Sequence, residues 1–193
     1  MELRKYSLIF FALLFISPLS CAQSFPIYWE DYSLMEKRIV LTSDLVDSVV
    51  LDYYRGNLIV SDNEITFQLL NVLLSNNAPR VKSLYFWIFN KIVFSADGAL
   101  AEILGPYCMK RLLMDSPYVL DYLRSHPAIE DDYLLFLAEE FLYGSTSSLS
   151  EFKKGLRGQC NREIEPYLQE FLDKLEKQIS VLNGDLEGNT RMG

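Results

Sequence analysis

Val81-Lys82-Ser83-Leu84-Tyr85-Phe86-Trp87-Ile88-Phe89-Asn90-Lys91-Ile92-Val93-Phe94 is the stretch on which the fold class turns. Its apolar residues cover nearly every side of a helix, and Ala78-Pro79 just before it is a favourable helix start, because the first-turn amides have no intrahelical partner. A helix apolar all round belongs at the centre of a core. Asn90 and Lys91 interrupt the run, which also falls short of the roughly 20 apolar residues that a membrane span needs.

Working outward, the punctuation stays helical. Ser61-Asp62-Asn63-Glu64 has the form of a capping box and opens a helix to about Ser75. Before it, Thr42 or Ser43 can cap a helix carrying Leu45, Val46, Val49, Val50 and Tyr53 on one face, with Gly56 as its stop. After the central run, Asp97 can cap a helix that Gly105-Pro106 interrupts and that resumes to Met114. Ser116-Pro117 and His126-Pro127 start two more, ending at Gly144, and Gly144-Ser145-Thr146-Ser147-Ser148 reads as a flexible loop. A second box, Ser148 to Glu151, opens a short helix before Cys160. The last helix carries the stripe Ile164, Leu168, Phe171, Leu175, Ile179 and Leu182 and is stopped by Gly184. These readings predict an all-α single domain of about seven or eight helices. Laying Leu74 on Leu123, an offset of 49 residues, matches apolar to apolar from Leu84/Tyr133 to Ile92/Phe141. That admits a short, irregular, solenoid-like helical-repeat array as the finer description.

The ends of the chain read differently. Arg4-Lys5, the apolar stretch Tyr6 to Ile16 and the small residues around Ser20-Cys21-Ala22 follow the plan of a secretory signal peptide, which places 1–22 as signal and the mature chain outside the cytoplasm. Pro18 favours cleavage after Ala22, with lipidation of Cys21 and an envelope anchor as the alternative. Residues 23–41, with Tyr28, Trp29 and Tyr32, form an N-terminal arm that pins itself to the domain through those aromatics or offers them for recognition. The helical domain proper is 42–184, and 185–193 is a polar tail.

In an oxidising compartment Cys108 and Cys160 suggest one disulfide, worth roughly 4 kcal/mol at most from loop entropy; two buried free thiols are the alternative. The net charge of −8 argues against nucleic acid as a partner. His126, the only histidine, stands at a helix start, and neither a nucleophile elbow nor a zinc-ligand set accompanies it, so no cofactor, metal or catalytic residue is assigned. Asn183 to Asn189 resembles the start of a calcium loop but lacks the closing glutamate.

Charge distribution is the more informative signal. Between Asp115 and Gly144 seven carboxylates face the single cation Arg124, whereas Phe152 to Arg162 has four cations and no acid. Asp121, Glu130, Asp131, Asp132, Glu139 and Glu140 are therefore the candidate contact residues for another protein with a basic surface. The expected function is an exported binding module of the inhibitor or immunity type. The rivals are a structural envelope component and a carboxylate-dependent hydrolase pairing Glu30 or Asp31 with Glu139 or Glu140. Two carboxylates facing each other across a cleft speak for the hydrolase, a convex acidic surface for binding.

Overall fold

The computed structural model describes residues 28–75, 78–144 and 148–190, with side chains as far as 184. The signal segment 1–22, Cys21 and the stretch 145–147 lie outside the described residues. Among those described, all regular structure is helical. A 3-10 turn, Trp29–Asp31, leads into α1 (Leu34–Leu41), α2 (Ser48–Tyr54), α3 (Glu64–Ser75), α4 (Pro79–Ser95), α5 (Gly98–Met114), α6 (Ser116–Ser125), α7 (Pro127–Tyr143), α8 (Leu149–Arg157) and α9 (Glu165–Thr190). None of the described helices is long and apolar enough to cross a membrane.

The chain is a single all-α domain. α4 buries Val81, Leu84, Tyr85, Phe86, Ile88, Phe89, Ile92 and Val93, as its all-round apolarity requires. α7 packs against α4, α5, α6 and α9. The two Pro-entered helices of the offset-49 match, α4 and α7, have the same length of 17 residues and lie against each other, so both units share one core.

Side-chain caps open α1, α2, α3 and α8 and move several of the expected starts, whereas α4 to α7 begin without one, the expected Asp97 cap of α5 included. The arm contains a real helix: the Ser33 hydroxyl accepts from the Glu36 amide while the Glu36 carboxylate accepts from the Ser33 amide, a capping box that opens α1. Thr42 ends α1 instead of starting the next helix. Asp47 caps α2, its carboxylate accepting from the Val49 amide. At α3 the capping acceptor is Asn63 Oδ1, 2.9 Å from the Thr66 amide, while the Ser61 amide donates to Thr66 Oγ1. Ser148 caps α8 as its sequence suggests.

Two expected breaks are absent. α5 runs through Gly105-Pro106 because Gly105 lets α7 press against it: a Cβ there would stand 2.7 Å from Glu140 Cβ and 2.8 Å from the Phe136 carbonyl oxygen. α9 continues past Gly184 to Thr190, so the backbone of 185–190 is helical and not a frayed tail. Gly184 lies within the helix, with open space around it, and among the described residues only Gly56 and Gly98 take positive φ.

The expected disulfide is also absent: Cys108 and Cys160 are free thiols. Cys108 is completely buried on α5 among core side chains, and Cys160 lies half-buried in the turn after α8. Each packs as a small apolar residue. Burial pushes both thiols up, Cys160 to about 11, which disfavours the thiolate that bridge formation needs.

Candidate functional site

The predicted acidic face does not form one surface. On α6, Asp121 accepts the Tyr28 hydroxyl at 2.6 Å and pairs with Arg124 at 2.6 Å. On α7, Glu130 is buried and receives Lys174 of α9 at 3.1 and 3.2 Å. Internal partners therefore engage both. Asp131 projects outward, and Asp132 is half-buried with its carboxyl pushed up by burial and by Asp131.

Glu139 and Glu140 instead line a cleft of about 490 Å³ between α5 and α7. Glu102 on α5 joins them there, with Phe136 and Tyr143 on the α7 side and Ala101, Gly105 and Gly144 as small wall residues. Position follows from helical spacing: 136, 139, 140 and 143 recur three and four apart and so share one face of α7. Gly105 on α5 brings that face close and lines the cleft itself. The Glu139 carboxyl is pushed up by burial and then by the negative charge of Glu102. Among the described residues no ion pair includes Glu102 or Glu139, and neither carboxylate accepts a side-chain or loop hydrogen bond. Tyr143, 64% exposed, stands in the lining as a large aromatic surface.

The arrangement is chemically simple: a half-buried carboxylate, Glu139, repelled by an exposed one, Glu102, beside an aromatic wall. It stabilises a cation placed between them and can stack its apolar stem on Tyr143. No cluster of metal-ligating side chains occurs among the described residues. The pair suggested for hydrolysis is not assembled, since Glu30 accepts from Tyr122 of α6 at 3.1 Å while Glu139 faces Glu102 across the α5–α7 cleft.

Other singled-out residues serve packing. Trp29 and Tyr32 are buried, with Trp29 against Tyr54 and Trp87, so the aromatic arm is pinned. His126 stacks on Tyr122 at 3.8 Å, and its Nδ1 lies 2.8 Å from the Tyr122 carbonyl oxygen. The basic stretch turns to α9: Lys153 pairs with Glu176, and Arg157 donates to Gln169 at 3.0 Å. Sequence reasoning missed Glu102 and Tyr143. It missed Arg111 too, a buried guanidinium 4.8 Å from the Phe86 ring whose Nε and Nη2 lack hydrogen-bond partners among the described residues. Nothing local in the sequence marks α5 as the neighbour of α7. No family model matches this chain, and no curated protein or solved structure shows significant similarity to it.

Proposed function

We propose that the protein is an exported helical binding module, of the inhibitor or immunity type, that receives a cationic segment of a basic protein in the α5–α7 cleft. One observation carries this reading: Glu102 and Glu139 lie close enough in that cleft for one charge to raise the other's pKa, and neither pairs with a cation among the described residues. Like charges held together without a counter-charge cost stability, and an incoming Lys or Arg relieves that cost. Tyr143 adds a stacking surface of the type enriched at binding hot spots.

The experiment replaces Tyr143 by a photo-cross-linking phenylalanine analogue and irradiates the producing cells. A basic protein is the expected adduct, and Glu102→Gln/Glu139→Gln is expected to remove it. Adducts that survive that double substitution, or adducts with acidic proteins only, overturn the reading.

The cleft also carries the sign named for the rival, two carboxylates across a cleft in place of a convex acidic surface, so the carboxylate-dependent hydrolase is the second reading. A carboxyl raised by burial and by a second carboxylate, within a cleft, is the arrangement a general acid needs. Against it, neither carboxylate is hydrogen-bonded by the described protein, and catalysis requires such supports to fix the separation. A hydrolase would release product from a glycan or peptide substrate with a pH profile that loses its acid limb in Glu139→Gln. A pure binding module would release none.

A further inference from the structure

We propose that α1 docks on an anionic bilayer surface, with Leu34, Met35 and Ile39 entering the interface while Lys37, Arg38 and Arg55 meet the headgroups. The face is independent of the acidic cleft. Of the eight residues of α1 only Val40 is fully buried, and Leu34 and Met35 are 87% and 74% exposed. Three apolar side chains on one short helix, Leu34, Met35 and Ile39, are left exposed to water by the fold, and Leu34 also lines the groove beside α2.

Charge selects the occupant. Between α1 and α2 lies a groove of about 290 Å³, its apolar wall made by Leu34, Leu41, Leu51 and Tyr54, its polar lining containing Lys37, Arg38 and Arg55 and no carboxylate. In a chain of net charge −8 that is a local reversal of sign. The one carboxylate on α1, Glu36, is turned back onto Ser33, accepting from its amide at 2.8 Å and its hydroxyl at 2.7 Å. Lys37 reaches the Glu30 carbonyl oxygen at 3.4 Å, but no ion pair among the described residues holds Lys37, Arg38 or Arg55. Cations flanking exposed apolar side chains are the composition of an interfacial helix. A groove this small and open encloses no drug-sized molecule, whereas a flat interface covers all three tips together.

The upstream sequence supplies the second argument. On the lipidation alternative Cys21 stays with the mature chain, and thirteen positions separate it from Leu34, at most about 45 Å of extended chain, so an anchor there holds α1 within reach of the surface. After cleavage at Ala22 the exposed apolar side chains and the cations carry the docking alone.

The test is flotation of the full chain with phosphatidylglycerol/phosphatidylcholine vesicles and with phosphatidylcholine alone. Leu34→Ser/Met35→Ser and Arg38→Gln/Arg55→Gln are each expected to lower partitioning onto the anionic vesicles about tenfold. Ile59→Ser, at another exposed apolar position, is expected to change nothing. Salt should weaken the wild type and leave Arg38→Gln/Arg55→Gln nearly indifferent. Equal partitioning of all variants would assign the binding to the upstream segment and overturn the proposal. So would equal binding to neutral vesicles, or a wild-type dimer in sedimentation that Leu34→Ser/Met35→Ser dissolves, which would give the face to a second copy. All four side chains are partly or fully exposed, so thermal melts should match the wild type; if one pair shifts the melt, the other pair decides.

Discussion

The Tyr28 hydroxyl donates to the Asp121 carboxylate at 2.6 Å across 93 residues of sequence. That bond ties the start of the described chain to α6, and it occupies a carboxylate that charge counting alone would offer to a partner. Tyr28→Phe should therefore cost about 1 kcal/mol, the net worth of a hydrogen bond, or somewhat more because its acceptor is ionised. Trp29→Ala, which empties a buried ring site, should cost about 3–5 kcal/mol. Denaturant melts check both, and a negligible effect at Trp29 would mean that the aromatic segment is not pinned.

Glu130 and Lys174 form the other internal pair. Lys174→Met leaves a buried carboxylate without its cation and should destabilise by about 1–3 kcal/mol, because Lys174 is itself partly exposed. Glu170→Gln removes only the exposed i,i+4 partner of Lys174 and should stay within about 0.5 kcal/mol. Equal costs in thermal melts would contradict the assignment of Glu130 to the interior.

Gly105 and Gly184 should respond to alanine with opposite signs. At Gly105 the new Cβ meets Glu140 Cβ at 2.7 Å and forces α5 from α7, costing about 1–3 kcal/mol. At Gly184 nothing stands within 4 Å and the backbone is helical, so alanine should gain up to about 1 kcal/mol. Chemical denaturation of the two variants measures both signs.

These cases show what the sequence makes legible. Ser148, Pro79 and Pro127 act on amides of their own first turn, so local chemistry is enough to place those helix starts. The all-round apolarity of α4 likewise announces its burial. Gly105-Pro106 reads as a break because local propensity is all that a sequence displays, whereas the packing of α7 over Gly105 keeps α5 continuous. At the site, Glu139 and Glu140 are recognisable as charge, but Glu102 becomes their neighbour only when two helices pack. Asp121 and Glu130 have the same composition signal and the opposite fate, since Tyr28 and Lys174 reach them from distant segments.

The free thiols give a chemical test. Burial holds Cys108 well above the ordinary thiol range and Cys160 at about 11, so at neutral pH native protein should alkylate slowly at Cys160 and not at Cys108. Peptide mapping without reductant should find no linked pair, and both should label once the chain is unfolded. A Cys108–Cys160 peptide would contradict the structure.

The α5–α7 cleft is most directly tested by the association rate of a fluorescent oligolysine peptide, for wild type and Glu102→Gln/Glu139→Gln, across a salt series with parallel melts. Burial and Glu102 raise the Glu139 pKa above its ordinary 4.5, so the fold favours the protonated form. The stability this contributes is complete below about 4.5 and lost as pH rises through the folded value. At neutral pH the ionised pair is therefore a cost, and the double substitution should leave stability equal or higher. This variant should associate on the order of tenfold more slowly, with a flattened salt dependence and no loss of melting temperature. Association unchanged from wild type at every salt concentration would contradict that role for the cleft.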